Sequence, residues 1–220
     1  RIIEYSFLSD HTLEEEEDVK KEVFQRYNSG ITPLKSAEID KAQYLSNDLN
    51  EFLKERLKED TEFDGLFTKL FRLQKNSIEQ KVMKMRELLV LHKIPIKYYA
   101  IQKQKVIRKY FDLLSEQIED DQMWDIFGAL NRKMLQLDKV ERRFSSEGIN
   151  YNRLISECLL WAFTIVEEEK GEKVEMDMFH LQTLTDYFKE HIDSFSMERS
   201  SFVEELTQRY TTTADYFEKE

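Results

Sequence analysis

Hydrophobic residues recur along this chain at spacings of three and four residues, which is the period of an amphipathic α-helix. Polar residues fill the positions between them, and no stretch shows the apolar-polar alternation of a half-buried strand. With only 5 Gly and 2 Pro among 220 residues, helix breakers are rare. The pattern therefore predicts an all-α fold.

The same pattern places the helices. After a first helix near residues 12–27, it predicts helices over about 37–58, 63–71, 77–92, 98–118 and 123–145. Ser77 and Gln80 form a capping box, and the acidic run Glu119–Asp121 caps the last of these helices. Three more helices follow, around Trp161, Phe188 and Tyr210, with a turn at 170–173.

A glycine and a change of charge mark the clearest internal boundary. Residues 72–109 hold 11 basic and 2 acidic residues (11 − 2 = +9), whereas residues 150–220 hold 7 basic and 16 acidic (7 − 16 = −9). Gly148 closes a long helix between them. We predict an N-terminal helical arm (1–39), a helical bundle (40–147) and a second small antiparallel helical bundle (148–220), with the oppositely charged segments attracting each other.

Composition also indicates which classes of partner and which cellular compartment to expect. The net charge of −11 and the acidic C-terminal segment would repel phosphates, so we expect no nucleic-acid partner, although the acidic segment could face a basic protein. The single cysteine, Cys158, lies in an apolar run over residues 154–166 that is too short and interrupted to span a membrane. A lone buried thiol indicates a reducing compartment, so we expect a cytoplasmic protein with no membrane association.

The junction around Pro95 is the most informative stretch. Proline lacks an amide hydrogen and biases the preceding residue, Ile94, away from the helical region, so one helix should end near Lys93. His92 continues the apolar stripe of that helix. We expect a buried histidine that bonds the last carbonyl groups of the helix.

Residues 40–146 resemble the sensor-globin families, which comprise haem-binding globin-coupled sensors and haem-free globin-like domains of bacterial stressosome proteins. The resemblance rests on the sequence Leu-His-Lys-Ile-Pro-Ile-Lys-Tyr-Tyr (91–99), on Met-Trp-Asp-Ile-Phe (123–127) and on residues 130–138 in the last helix. It implies a globin-like bundle. It also implies a sensory function.

The resemblance further implies either a haem or an apolar ligand site. In this sequence Pro95 follows His92 by three residues, closer than in the haem-binding pattern, so we expect no cofactor; the alternative is a haem sensor with His92 as the iron ligand. Without haem, the family implies an apolar pocket or a bare interface. The pocket residues would be Phe67, Phe71, Met85, Leu89, His92, Tyr99, Phe127 and Met134.

Other residue clusters give weaker signals for chemistry. The acidic run at 119–121 with Asp125 has no second acidic motif, and His180 and His191 lack the Glu-x-x-His helices of a di-iron bundle, so no metal site is predicted. No base accompanies a Ser or Cys nucleophile. We expect no enzyme.

The sequence thus favours a regulatory domain that binds a small apolar ligand or a partner and signals through helix-mediated association. A scaffold domain without a ligand is the alternative. We expect a protein partner or output domain, and a homodimer formed through the stripe Met134, Leu137, Val140 and Phe144.

Overall fold

The computed structural model describes residues 12, 16–21, 23, 44, 47–75, 77–195 and 203–219, with the side chains of 99–102, 203–206, 218 and 219 left out. The chain divides into two compact units, Arg1–Ser46 and Asn47–Glu220. In the first unit, residues 16–21 are helical. Every regular element in the described residues is a helix and none is a strand, which confirms the predicted all-α class.

The second unit consists of helices joined by short turns. Their bounds are α1 (Asp48–Glu59), α2 (Thr61–Leu70), α3 (Ile78–Val90), a 3₁₀ turn (Leu91–Lys93), α4 (Ile96–Gln117), α5 (Asp120–Ser146), α6 (Arg153–Lys170), α7 (Met178–His191), a second 3₁₀ turn (Ile192–Phe195) and α8 (Val203–Lys219). A globin-like arrangement of these helices stays a prediction.

Side-chain caps explain where the helices begin. The Ser77 hydroxyl accepts a hydrogen bond from the amide of Gln80 at 3.3 Å, as the capping box predicts. At α5, Glu119 and Gln122 form a reciprocal capping box. The prediction of one helix over 37–58 is wrong at its start, because Asn47 is extended and caps α1 at Asp48; residues 37–43, 45 and 46 lie outside the described residues.

The two turns that the sequence predicts from glycine are present. Gly171 has φ +70° and ends α6, and Gly148 has φ +74° in the turn after α5. Both angles lie in the left-handed region, which glycine adopts without steric cost. The unit Asn47–Glu220 is continuous through Gly148, and the division into domains at 39/40 and 147/148 stays a prediction.

Helix α6 is buried along its first half. Its residues 154–160, 162 and 163 are buried, and it packs against α3, α5, α8 and the first 3₁₀ turn. The sequence predicts this buried helix from its apolar run. α2 packs against α5, where Phe63 contacts Phe127 with ring centroids 4.6 Å apart.

Ion pairs join the basic and acidic segments. Lys84 Nζ lies 2.5 Å from Glu157 Oε1, and Lys93 Nζ lies 2.8 Å from Glu168 Oε1. Both lysines come from the basic segment and both glutamates from the acidic one. The predicted attraction between the two segments is confirmed at these contacts. None of the helices in the described part is both long and apolar enough to cross a bilayer.

Candidate functional site

The corner between α3 and α4 has the geometry that Pro95 imposes. After Val90 the helix tightens into the 3₁₀ turn, and Ile94 (φ −95°, ψ 120°) and Pro95 (φ −58°, ψ 130°) are extended. α4 then begins at Ile96, two residues earlier than predicted. The predicted helix break is confirmed, and it presents the 3₁₀ turn to α6.

The prediction that His92 bonds the last helix carbonyls is wrong. Its Nε2 lies 3.1 Å from Glu168 Oε1 on α6, and Lys93 Nζ shares the same carboxylate oxygen. The tightened turn explains the difference, since it packs against α6 and brings the imidazole to that helix. Within the described residues, the buried Nδ1 atom of His92 has no hydrogen-bond partner.

Burial and positive neighbours keep the His92 ring neutral. Burial lowers the pKa of His92 to about 4, because the attraction of Glu168 does not offset desolvation and the nearby charges of Lys93 and Lys133. The pKa of Glu168 is also lowered; its burial works in the opposite sense, but Lys93 and His92 outweigh it. A neutral imidazole beside a carboxylate is therefore the resting form of this corner.

A pH titration tests this electrostatic picture. Since the pKa of His92 is lower in the folded than in the unfolded chain, the unfolded chain binds more protons below about pH 6.5, and stability is lost as pH falls from there towards 4. Between pH 7 and pH 5 we expect His92 to lower the free energy of unfolding by about 1.5–2 kcal/mol. Denaturant unfolding of His92→Gln should show a free energy of unfolding that changes less between pH 7 and pH 5 than that of the wild type. The same change with pH in both proteins would contradict this electrostatic picture.

The predicted pocket residues lie mostly in the packed interior. Phe67, Phe71, Met85, Phe127 and Met134 are buried. Leu89 and His92 are half-buried, and the Tyr99 side chain lies outside the described residues. The aromatic rings contact each other: Phe63 bridges Phe67 and Phe127, with centroids 5.7 and 4.6 Å away. These contacts are those of a core, and a ligand between these residues stays a prediction.

The residues around His92 do not fit a haem. A haem iron takes an imidazole nitrogen as its proximal ligand, beside space for an apolar macrocycle. Here Nε2 contacts Glu168, and the charges of Lys93 and Lys133 lie close enough to lower the pKa of the ring. Iron ligation would break the contact with Glu168 and place the macrocycle among these charges.

A buried charge network that the sequence reasoning missed joins α3, α4 and α6. Lys84 Nζ lies 2.8 Å from Glu87 Oε1 and 2.5 Å from Glu157 Oε1, and Lys103 Nζ lies 3.0 Å from the same Glu87 oxygen. Burial opposes the charged form of Lys84, but Glu157 and Glu87 outweigh it and raise its pKa. The sequence feature that could have indicated this network is Glu157, a charged residue inside the apolar run 154–166.

A second network holds α2 to α5. Lys69 Nζ lies 2.9 Å from Asp138 Oδ1 and 2.7 Å from Glu141 Oε2, and Arg142 also bonds Asp138. Although burial raises the pKa of Asp138, the hydrogen bonds from Lys69 and Arg142 outweigh burial and lower it. These polar groups on α5 therefore tie α5 to α2 at the edge of the core.

His180 and His191 have local partners. His180 Nδ1 lies 2.7 Å from Asp177 Oδ1, and His191 Nδ1 lies 2.8 Å from the carbonyl oxygen of Tyr187. Among the residues that the structure describes, no group of three or more His, Cys, Asp or Glu could hold a metal ion. The run Glu119–Asp121 is exposed at the start of α5.

Helix α5 has two unlike faces, and this changes the predicted association surface. Met134, Leu137, Val140 and Phe144 are fully buried, so the homodimer cannot form through this stripe. The opposite face carries Trp124 and Leu135, which are 54% and 52% exposed. At the start of α7, Met178 and Phe179 are also exposed.

Contacts of Trp124 and Met176 show which elements lie beside this outward face of α5. The Trp124 ring contacts Phe52, with centroids 5.2 Å apart, and the Arg56 guanidinium, 4.4 Å from the ring centre. Further along α5, Gln136 accepts a hydrogen bond from the amide of Met176 at 3.0 Å. The start of α7 therefore lies beside the second half of α5.

Comparison with known proteins gives no relative: no family model, no curated protein and no solved structure matches this chain.

Proposed function

We propose that this chain is a non-catalytic regulatory domain that signals through helix-mediated association with a protein. The outward face of α5, with Trp124 and Leu135 each about half exposed, is the observation that carries the proposal. Large apolar side chains in line on one exposed helix face are typical of interaction sites, and tryptophan is among the residues that contribute most to binding energy.

The packed interior supports association over capture of an apolar ligand. A ligand would have to separate rings that already contact each other, such as those of Phe63 and Phe127. The cost would be the loss of close-packed contacts that stabilise the fold. The small-ligand version of the regulatory function stays a prediction.

Polar contacts connect the outward face to the His92 corner. On α5, Arg132 bonds Glu167 of α6 at 2.8 Å, and Lys133 lies 3.4 Å from the same carboxylate oxygen. The next residue, Glu168, bonds His92. A shift of α5 on binding would change its contacts with Glu167 and thereby displace Glu168 and its contact with His92. A regulatory domain requires coupling of this kind.

Site-specific photo-cross-linking in the cells that make the protein tests the proposal. We expect Leu135→p-benzoylphenylalanine to form a protein adduct, because the outward face would be in contact with another chain. Leu113 on α4, a leucine with 43% exposure, is the matched control position and should give little adduct. Equal yields at the two positions, or none at Leu135, would rule out α5 as the association face.

A further inference from the structure

The outward face of α5 carries six exposed residues whose spacing reads the same in both directions: Asp121, Trp124, Gly128, Leu135, Lys139 and Arg142. The successive spacings of these six are 3, 4, 7, 4 and 3 residues. The exposed Ser146 lies on the same side of the helix, one turn beyond Arg142. At 3.6 residues per turn these six positions fall on one side of the helix, over a length of about 31 Å.

The two ends of the face carry opposite charges. Its first end carries Asp121, with the exposed Asp120 and Asp125 beside it, and its second end carries Lys139 and Arg142. Arg142 bonds Asp138, yet its side chain is 75% exposed. Lys139 Nζ bonds Gln136 at 2.9 Å and the Met176 carbonyl oxygen at 3.4 Å.

The middle of the face has an open position beside an exposed apolar side chain. A Cβ atom placed on Gly128 would meet nothing within 4 Å, so no neighbouring element of the described unit covers α5 there. Leu135 stands two turns further along the same face. An approaching helix could therefore bring its backbone close to Gly128.

From these three features we infer that the outward face of α5 binds a second copy of this chain, with the two α5 helices antiparallel about a two-fold axis near Asn131. This inference rests on the proposed function and names the partner. In that arrangement Asp121 meets the partner's Arg142, and Trp124 meets the partner's Lys139. Gly128 receives the partner's Leu135.

Each contact occurs twice by symmetry, as in an isologous dimer. The charge pattern selects this partner and direction, because parallel pairing would set Asp121 against its own copy and Arg142 against its own copy. Lys139 against the exposed part of the Trp124 ring adds a cation–π contact. Leu135 in the space above Gly128 supplies the apolar contact at the centre.

Reciprocal charge reversal tests this pairing in the full chain. Asp121→Arg and Arg142→Asp should each weaken the dimer about tenfold or more in sedimentation equilibrium, since each puts like charges together at both symmetric contacts. The double variant Asp121→Arg/Arg142→Asp should return to within about threefold of the wild-type dissociation constant. Helical circular dichroism and the thermal midpoint check that the variants fold.

The outcomes separate this inference from the proposed function. Single reversals that leave the dimer unchanged, or a double reversal that does not restore it, would overturn the antiparallel pairing. A wild-type chain that stays monomeric at 100 µM while Leu135 still cross-links to a different protein would overturn self-association and leave the proposed function standing.

Discussion

Replacing Lys84 by methionine should lower the free energy of unfolding by about 3–5 kcal/mol. Lys84 is the cation between Glu87 and Glu157, at 2.8 and 2.5 Å, and all three side chains are largely buried. Methionine would fill a similar volume, but it would leave two carboxylates close together in the interior with less positive charge to compensate them.

Denaturant unfolding at neutral pH measures this effect. Lys54→Met is the matched control, because Lys54 also pairs with a glutamate, Glu51, which is half exposed; we expect it to cost under about 1 kcal/mol. Adding Glu157→Gln to Lys84→Met should recover part of the loss, since one uncompensated charge is then removed. A loss at Lys84 no larger than that at Lys54 would show that the network contributes little.

At protein concentrations low enough for the chain to be monomeric, replacing Met134 by alanine should cost about 2–5 kcal/mol, whereas Leu135→Ala on the neighbouring position should change stability by no more than about 0.5 kcal/mol. The two residues are adjacent in sequence, but Met134 is fully buried and Leu135 is 52% exposed. Truncation of Met134 removes buried contacts and leaves a cavity in the core.

This pair also separates a core from a ligand pocket. If Met134 lined an open pocket, its truncation would remove few contacts in the ligand-free protein, and the cost would fall towards that of Leu135→Ala. Unfolding midpoints of the two variants in the absence of any added ligand make the comparison. Similar midpoints would favour the hypothesis that Met134 lines a ligand site.

Local signals in the sequence were sufficient for much of the fold. The cap at Ser77 and the break at Pro95 depend on neighbouring residues, and both are present. Gly171 ends α6 in the left-handed conformation, as a glycine after a helix predicts. The buried run around Trp161 also needs no long-range information, since its composition alone excludes an exposed helix.

The site depended on contacts between distant parts of the chain, which periodicity does not contain. Glu168 is 76 residues from His92, and Glu157 is 73 residues from Lys84. Helical phase identified Met134, Leu137, Val140 and Phe144 as one apolar stripe of α5, but it could not tell whether that stripe packs inside the chain or against a second copy. For that reason the stripe ending at Phe144 was predicted as an interface and is buried.

The mass of the adduct formed at Leu135 tests the central claim most directly. In purified protein carrying Leu135→p-benzoylphenylalanine, we predict a covalent product of twice 26.6 kDa, with peptides joined at or near Gly128 of the second copy. The matched Leu113 position should give little of this product. Irradiated protein that stays at 26.6 kDa, in purified form and in cells, would contradict association through the outward face of α5.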